Sequence, residues 1–110
     1  MEQSRVQEAL AALANETRLD LVRLLMPCGA TGMAQGEIAR RLEISASRLA
    51  FHLAQLERAG LVAARRESRN VYYAAKAAEI GRVLGFVLHD CCAAHPVVSA
   101  CCQKADVVLP

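Results

Sequence analysis

The spacing of apolar residues predicts five helices and one β-hairpin along this chain. Apolar positions recur at helical intervals through residues 2–14, 15–26, 35–43, 46–59 and 76–94. Asn15 and Ser45 are expected as N-caps, and Gly60 as the left-handed residue that follows the fourth helix. Residues 61–66 and 71–75 are rich in Val, Tyr and Ala and flank a short polar turn, which is typical of a hairpin. We therefore predict a mainly α-helical fold with a small β-hairpin, a loop at 28–34, and Pro96 barring continuation of the last helix.

Composition narrows the class of protein. The chain has 110 residues, 55% of them hydrophobic but only 4% aromatic, so the core is expected to be aliphatic. We predict one domain over residues 1–94 and a cysteine-bearing tail over 95–110. No apolar run reaches the roughly 18 to 20 residues of a membrane span, and the N-terminus lacks a signal-peptide pattern. These features predict a cytoplasmic protein without a membrane partner, whose five cysteines serve as metal-binding or redox-active thiols rather than as a disulfide framework.

Positive charge is concentrated in one part of the chain. The net charge is only +2, but residues 45–76 hold six basic and two acidic side chains, a local balance of +4. The other residues hold seven basic and nine acidic side chains, a balance of −2. The central segment therefore carries the positive field that phosphates attract.

The third and fourth predicted helices, with the turn around Ile44 and Ser45, form a candidate helix-turn-helix. The N-terminal part of the second helix in such a unit enters the major groove, and an arginine there can pair with guanine. The hairpin would act as a wing that reaches phosphates or the minor groove. The candidate DNA-binding residues are Ser45, Ser47, Arg48, Phe51 and His52 on the helix, and Arg65, Arg66 and Arg69 on the hairpin. A three-helix structural or protein-binding domain with a merely solvated basic hairpin would fit the generic pattern too.

The segment Leu42–Ala75 adds a specific resemblance. Its spaced serines Ser45 and Ser47, the His-Leu-x-x-Leu-x-x-Ala-Gly-Leu-Val run from His52, and the Arg-Arg-Glu-x-Arg-x-x-Tyr-Tyr wing from Arg65 resemble the winged helix-turn-helix of the ArsR/SmtB metal-responsive repressors. The upstream run Leu10–Leu25 is similar to the helix that precedes the DNA reader in that family. The resemblance implies a homodimer joined through the first and last helices, which binds a double-stranded inverted-repeat operator as a repressor and is released by an inducer.

The cysteines are the candidate inducer site. Cys91-Cys92 and Cys101-Cys102 form two adjacent pairs, whereas the Cys-x-Cys arsenic pattern near the recognition helix and the His/Asp zinc pattern of the family are missing or poorly met. The arrangement resembles arsenic-responsive members with a vicinal pair at the last helix and a third cysteine in the tail. Soft thiolates select soft acceptors, and As(III) or Sb(III) takes three sulfurs. We predict As(III), and by the same chemistry Sb(III), as inducer at Cys91, Cys92 and either Cys101 or Cys102, within one subunit or across two.

Other interpretations of the same thiols remain open. A disulfide, persulfide or peroxide reaction would make the protein a redox sensor, and four thiols could hold Zn(II) or Cd(II). A metal carrier would bind arsenite but not DNA. An enzyme is disfavoured because a C-x-x-C motif, a phosphate-cradling loop and a general-base cluster are absent from the sequence. Cys28 stands alone in its loop and is expected to be structural or incidental.

Overall fold

A computed structural model describes residues 1–103, which form six α-helices and three short strands. The helices are α1 (Gln3–Leu13), α2 (Glu16–Leu25), α3 (Gln35–Leu42), α4 (Ala46–Arg58), α5 (Ala77–Phe86) and α6 (Pro96–Gln103). The strands are β1 (Met33–Ala34), β2 (Val62–Glu67) and β3 (Asn70–Ala75). A 3-10 segment, Met26–Thr31, follows α2, and a π-helical turn, Val87–Cys91, follows α5. Within this part of the chain, no helix is long and apolar enough to cross a lipid bilayer.

The predicted caps fix where the helices begin and end. The Asn15 side chain accepts a hydrogen bond from the backbone N–H of Arg18, and the Ser45 hydroxyl accepts one from that of Arg48. Each bond satisfies one of the backbone donors that an N-terminus leaves free. Gly60 has φ of +80°, as expected for the residue that turns the chain out of α4. The start of α4, which carries most of the candidate DNA contacts, is therefore set by local sequence.

The core is aliphatic, as the composition predicts, and it lies where five helices meet the base of the wing. Its buried members come from α1, α2, α3, α4 and α5, with Leu61 and Val62 added by the start of β2. The largest fully buried side chains are Leu21, Leu25, Ile38, Leu49, Leu53, Leu56, Leu61, Val62 and Val83. Because Leu49, Leu53 and Leu56 lie on one face of α4, the opposite face of that helix is turned to solvent.

The hairpin belongs to a three-stranded antiparallel sheet in the order β1-β3-β2. The sequence predicted β2 and β3 but assigned Met33 and Ala34 to a loop, because a two-residue strand has no periodicity to detect. Gly32 makes the extra pairing possible. Its φ is +73°, and a Cβ atom at this position would lie 2.3 Å from the carbonyl oxygen of Tyr73. The architecture is a winged helix-turn-helix, with α3 and α4 as the helical pair and β2-β3 as the wing.

The helix predicted from Lys76 to about Ala94 is present from Ala77 to Cys91, but its last turn is π-helical and it ends before Ala93. The α-helix ends at Phe86, and the backbone N–H of Cys92 then donates to the carbonyl of Val87, five residues back, at 2.9 Å. Ala93 and Ala94 both have φ of +51°, which breaks the helix. Pro96 starts α6 instead of only ending α5, since a proline at the first helical position lacks an N–H that would have had no partner there. Cys101 and Cys102 therefore lie on a helix, not on a flexible tail.

Candidate DNA-binding surface and cysteine cluster

The outer face of α4 exposes four of the five predicted helix contacts. Ser45, Ser47, Arg48 and Phe51 are exposed, and the hydroxyl oxygens of the two serines lie 3.3 Å apart. Ser45 also accepts the capping bond from Arg48, so its oxygen holds the helix end while its hydroxyl hydrogen is free for another acceptor. Ser47 and Ala54, one turn before and after Phe51 on this face, are small, so the backbone of α4 can approach base edges there.

His52 differs from the other four because it is buried, with 7% of its surface exposed. Its Nδ1 lies 3.1 Å from Nη1 of Arg18, whose Nε donates to the carbonyl of Ala12 at 2.6 Å. A guanidinium can only donate, so Nδ1 of His52 accepts and the ring is neutral, with its proton on Nε2. The pKa of His52 is lowered mainly by burial and further by the charges of Arg18 and Arg48. The side chain joins α4 to α1 and α2 and is poorly placed for the DNA contact that the sequence suggested.

Arg18 links three helices in this region, a role that its sequence pattern does not predict. It connects a carbonyl near the end of α1 to a ring inside α4, 34 positions further along the chain. Periodicity places it only on a partly polar face of α2. A contact over that separation is decided by the packing of the helices, so local sequence carries no signal for it.

The three wing arginines have different environments. The guanidinium of Arg65 donates to Glu67 and to the carbonyls of Ala30 and Thr31, and it lies 4.9 Å from the ring centre of Tyr72. Those bonds tie the wing to the 3-10 segment. The side chains of Arg66 and Arg69 are exposed and make no hydrogen bond or ion pair with any other residue of 1–103. Arg66 and Arg69 are therefore available to phosphates, whereas Arg65 holds the wing in place.

The paired cysteines gather where α5 ends and α6 packs back. Burial raises the pKa of the Cys92 thiol, and so do the thiols of Cys91 and Cys102. This environment brings together one pair from the π-helical turn and one thiol from α6. Cys101, on the same helix, is exposed, and all five cysteines are reduced.

Two grooves border the cysteine cluster. One, of about 450 Å³, lies between α1 and the end of α5 and is lined by Val6, Leu10, Phe86, Val87 and Cys91 among others. The other, of about 520 Å³, lies between α5 and α6 and includes Leu84, Leu88, Val98 and Cys102. Across residues 1–103, no group of three or more Cys, His, Asp or Glu side chains is already arranged as a metal site. The thiols suit a soft acceptor chemically, but they would have to move to enclose one.

Cys28 lies apart from this cluster. Its thiol faces the carbonyl of Leu24 at 3.5 Å, a bond within the turn that follows α2. Cys28 is partly buried, and neither of its neighbours in sequence is a cysteine. It serves as a matched control thiol for the clustered ones.

A helix-turn-helix with a free recognition face and an arginine-bearing wing defines a DNA-binding regulator of transcription. Residues 13–65 match the family described as helix-turn-helix domain. The chain is 36% identical over 86 residues to the transcriptional activator HlyU of Vibrio cholerae, covering 78% of this chain and 77% of that protein. This chain therefore belongs to the ArsR/HlyU family of winged helix-turn-helix transcriptional regulators, and its relatives are regulators, not enzymes, as the sequence predicted.

Solved structures agree with that family. The structure titled reduced HlyU from V. cholerae matches with a TM-score of 0.64 at 34% identity, over 78% of this chain and 87% of that one. An ArsR-like regulator from Rhodococcus sp. RHA1 matches with a TM-score of 0.72 at 26% identity, over 96% of both chains. A homodimeric winged helix-turn-helix domain from Mycobacterium bovis, described as a possible ArsR-family regulator, matches with a TM-score of 0.65 at 30% identity, over 76% of this chain and 75% of that one.

Proposed function

We propose that this regulator is a homodimeric repressor that leaves its operator when trivalent arsenic or antimony binds its C-terminal cysteines. The observation that carries the proposal is the position of Cys102 on the α5-α6 groove beside Val87 and Leu88, in the turn that ends at Cys91. The proposed site draws two sulfurs from the end of the π-helical turn and one from α6, and trivalent arsenic takes three soft ligands. Cys102 is favoured over Cys101 as the third ligand because it alone affects Cys92 and borders the α5-α6 groove.

The position of Cys91 supports a link to dimerisation. It lies in the groove between α1 and the end of α5, where the exposed Leu10 provides apolar surface for a partner subunit. The M. bovis neighbour is described as homodimeric, and the same arrangement here would place Cys91 at the subunit interface. Closing a three-sulfur site would pull on the π-helical turn and shift the two recognition helices, whose separation must match half-sites one helical turn apart.

Arsenite and a divalent metal differ in the protons that they exchange. Arsenous acid reacts with three thiols to give a trithiolate and three waters, so no proton is released near neutral pH. Cd(II) or Zn(II) displaces one proton from each thiol, and the raised pKa of Cys92 makes this displacement harder at low pH. Cadmium affinity should therefore rise with pH through the neutral range, while arsenite affinity should change little. Isothermal titration in two buffers of different ionisation enthalpy measures the protons released.

The deciding experiment is operator binding by fluorescence anisotropy, titrated with arsenite. Wild type should lose affinity for a duplex selected from a random library, and Cys91→Ser, Cys92→Ser and Cys102→Ser should each lose the response. Cys28→Ser should respond like wild type, because that thiol lies away from the cluster. Operator binding that arsenite leaves unchanged in wild type would contradict the proposal.

A redox repressor is the second candidate, favoured by the adjacent positions of Cys91 and Cys92 and by the exposure of Cys91. The V. cholerae neighbour's structure is titled as its reduced form. Here hydrogen peroxide would oxidise two thiols to a disulfide and be reduced to two waters, and dithiothreitol would reverse the reaction. Release of the duplex by peroxide but not by arsenite identifies this candidate, and thiol-specific mass labelling identifies the bonded pair.

A further inference from the structure

Phe51 is a large apolar side chain turned outward on the recognition helix. Its surface is 56% exposed, and Ser47 and Ala54, which lie one turn before and after it on α4, are small and also exposed, whereas Arg48 on the same face is long and polar. A phenyl ring standing above small neighbours on a helix that enters DNA will be the first apolar group to meet the base edges. Leaving it in water is unfavourable, and burying it against another apolar group is favourable.

The side of the Phe51 ring that faces the protein contacts the buried ring of His52. It meets the His52 ring edge to face, with the ring centres 5.2 Å apart and the planes at 73°. Such an arrangement is a preferred aromatic geometry. His52 accepts from Arg18, which also donates to the carbonyl of Ala12, so the support reaches α1 and α2. An exposed side chain backed in this way loses little further freedom on binding, which favours a specific contact.

We propose that Phe51 is a specificity-determining residue that recognises the 5-methyl group of a thymine in the operator, and that Arg18 and His52 are positioning residues for its ring. The thymine methyl is the one apolar group that a base pair presents in the major groove, and phenylalanine is among the side chains that contact it. The inference rests on DNA binding through α4 and is independent of which inducer the cysteines take. It predicts one methyl-dependent thymine position in each half-site.

The test removes only the methyl group. A duplex selected from a random library is remade with thymine replaced by deoxyuridine at one position at a time, and the affinity of the full chain is measured for each. Wild type should lose about fourfold at one position per half-site, the value expected for burying one methyl-sized group. Phe51→Ala should bind thymine and uracil duplexes equally, and Phe51→Leu should keep part of the discrimination. Leu19→Ala, which removes an apolar side chain 46% exposed on α2, should keep all of it.

The positioning role has its own readout. Arg18→Gln should lower the thymine-to-uracil ratio at that position while circular dichroism shows a folded chain at the assay temperature. Arg18→Lys, which keeps a donor for His52, should restore part of the ratio. A residue that only stabilised the fold would lower overall affinity without changing this ratio.

The outcomes separate this inference from the proposed function. A duplex that binds tightly and responds to arsenite, yet shows no thymine-to-uracil effect at any position, overturns the role of Phe51 alone. A Phe51→Ala protein that keeps the full thymine-to-uracil effect overturns that role as well. Failure to select any duplex overturns both the role of Phe51 and DNA repression.

Discussion

Some side chains of α4 pack the helix against the core, and others are exposed on the face expected to bind DNA. Ser47, Arg48 and Phe51 are exposed and make no long-range hydrogen bond or ion pair within residues 1–103, whereas His52 points inward to Arg18. The sequence could not separate them, because His52 follows Phe51 directly and both fall within the second turn of the recognition helix. The difference of about 100° between neighbouring residues puts one ring in the core and the other in solvent.

His52 makes stability depend on pH. Its folded pKa lies below the unfolded value of about 6.5, so the unfolded chain binds the proton more readily. The free energy of unfolding should therefore fall as pH drops below about 6.5 and onward through the folded pKa, because protonation puts a charge on a buried ring and sets it against Arg18 and Arg48. Urea denaturation at pH 7.5, 6.5 and 5.5 should show this loss, with the pH values chosen around the reference pKa.

Two histidine variants test whether His52 causes this pH dependence of stability. His52→Gln, whose amide oxygen can accept from Arg18, should flatten the dependence, and His89→Gln should leave it as in wild type because His89 lies outside the core, in the π-helical turn. An equal slope in wild type and His52→Gln would show that another group controls the acid response.

The wing arginines should differ in a salt titration. Arg66→Ala and Arg69→Ala should weaken binding about equally on specific and unrelated duplexes, and should reduce the slope of log affinity against log salt by about 0.9 for each phosphate that is no longer neutralised. Arg65→Ala should change stability as well as affinity, since its guanidinium bonds to Ala30 and Thr31. Anisotropy from low to high salt, together with thermal melts, measures both quantities. A full salt slope in the Arg66→Ala, Arg69→Ala double variant would contradict a phosphate role.

At the scale of elements, local signals predict where helices begin, but they do not predict the π-helical turn that follows α5. Asn15, Ser45 and Gly60 act as the sequence predicted, since a cap depends only on its neighbours. The change to a π pattern after Phe86 was not predicted, because the apolar spacing continues through Val87 and Leu88 while the hydrogen bonds shift. Such π turns are often found at functional sites, and this one presents Cys91 and Cys92.

The cap of α4 gives an element-level prediction. Ser45→Ala should lower the free energy of unfolding by about 1 kcal/mol, because the backbone N–H of Arg48 loses its acceptor. Ser47→Ala should cost far less, since Ser47 caps nothing and lies on the solvent side of the helix. Chemical denaturation of both variants without DNA isolates the capping effect. Equal losses in the two variants would mean that the Ser45 hydroxyl does not stabilise the helix end.

The whole molecule leaves apolar surface that a second copy would cover. Leu10 on α1 is 40% exposed and Leu84 on α5 is 56% exposed, although both follow the helical spacing of core residues. A chain of this size buries a limited share of its own surface, which favours association.

Dimerisation through α1 predicts the behaviour of charged variants. Leu10→Lys should shift the protein toward monomer and reduce operator affinity, because it puts a charge into an interface that excludes water. Leu19→Lys, at a leucine of similar exposure on α2, should leave the oligomeric state unchanged. Sedimentation velocity across a concentration series reports the state of each. A Leu10→Lys protein that remains fully dimeric would move the interface elsewhere.

The sequence by itself determined the helix-turn-helix, its caps, the wing and the presence of a thiol cluster, because these depend on periodicity, on nearest neighbours and on residue type. Only the tertiary structure decided that His52 is internal, that Arg65 holds the wing, and that α6, which carries Cys102, borders a groove against α5. Each of these depends on which elements pack together across many residues of chain. The spacing of residues within one element does not predict such contacts, because the burial of a side chain and its distance from a residue far along the chain depend on how the helices pack.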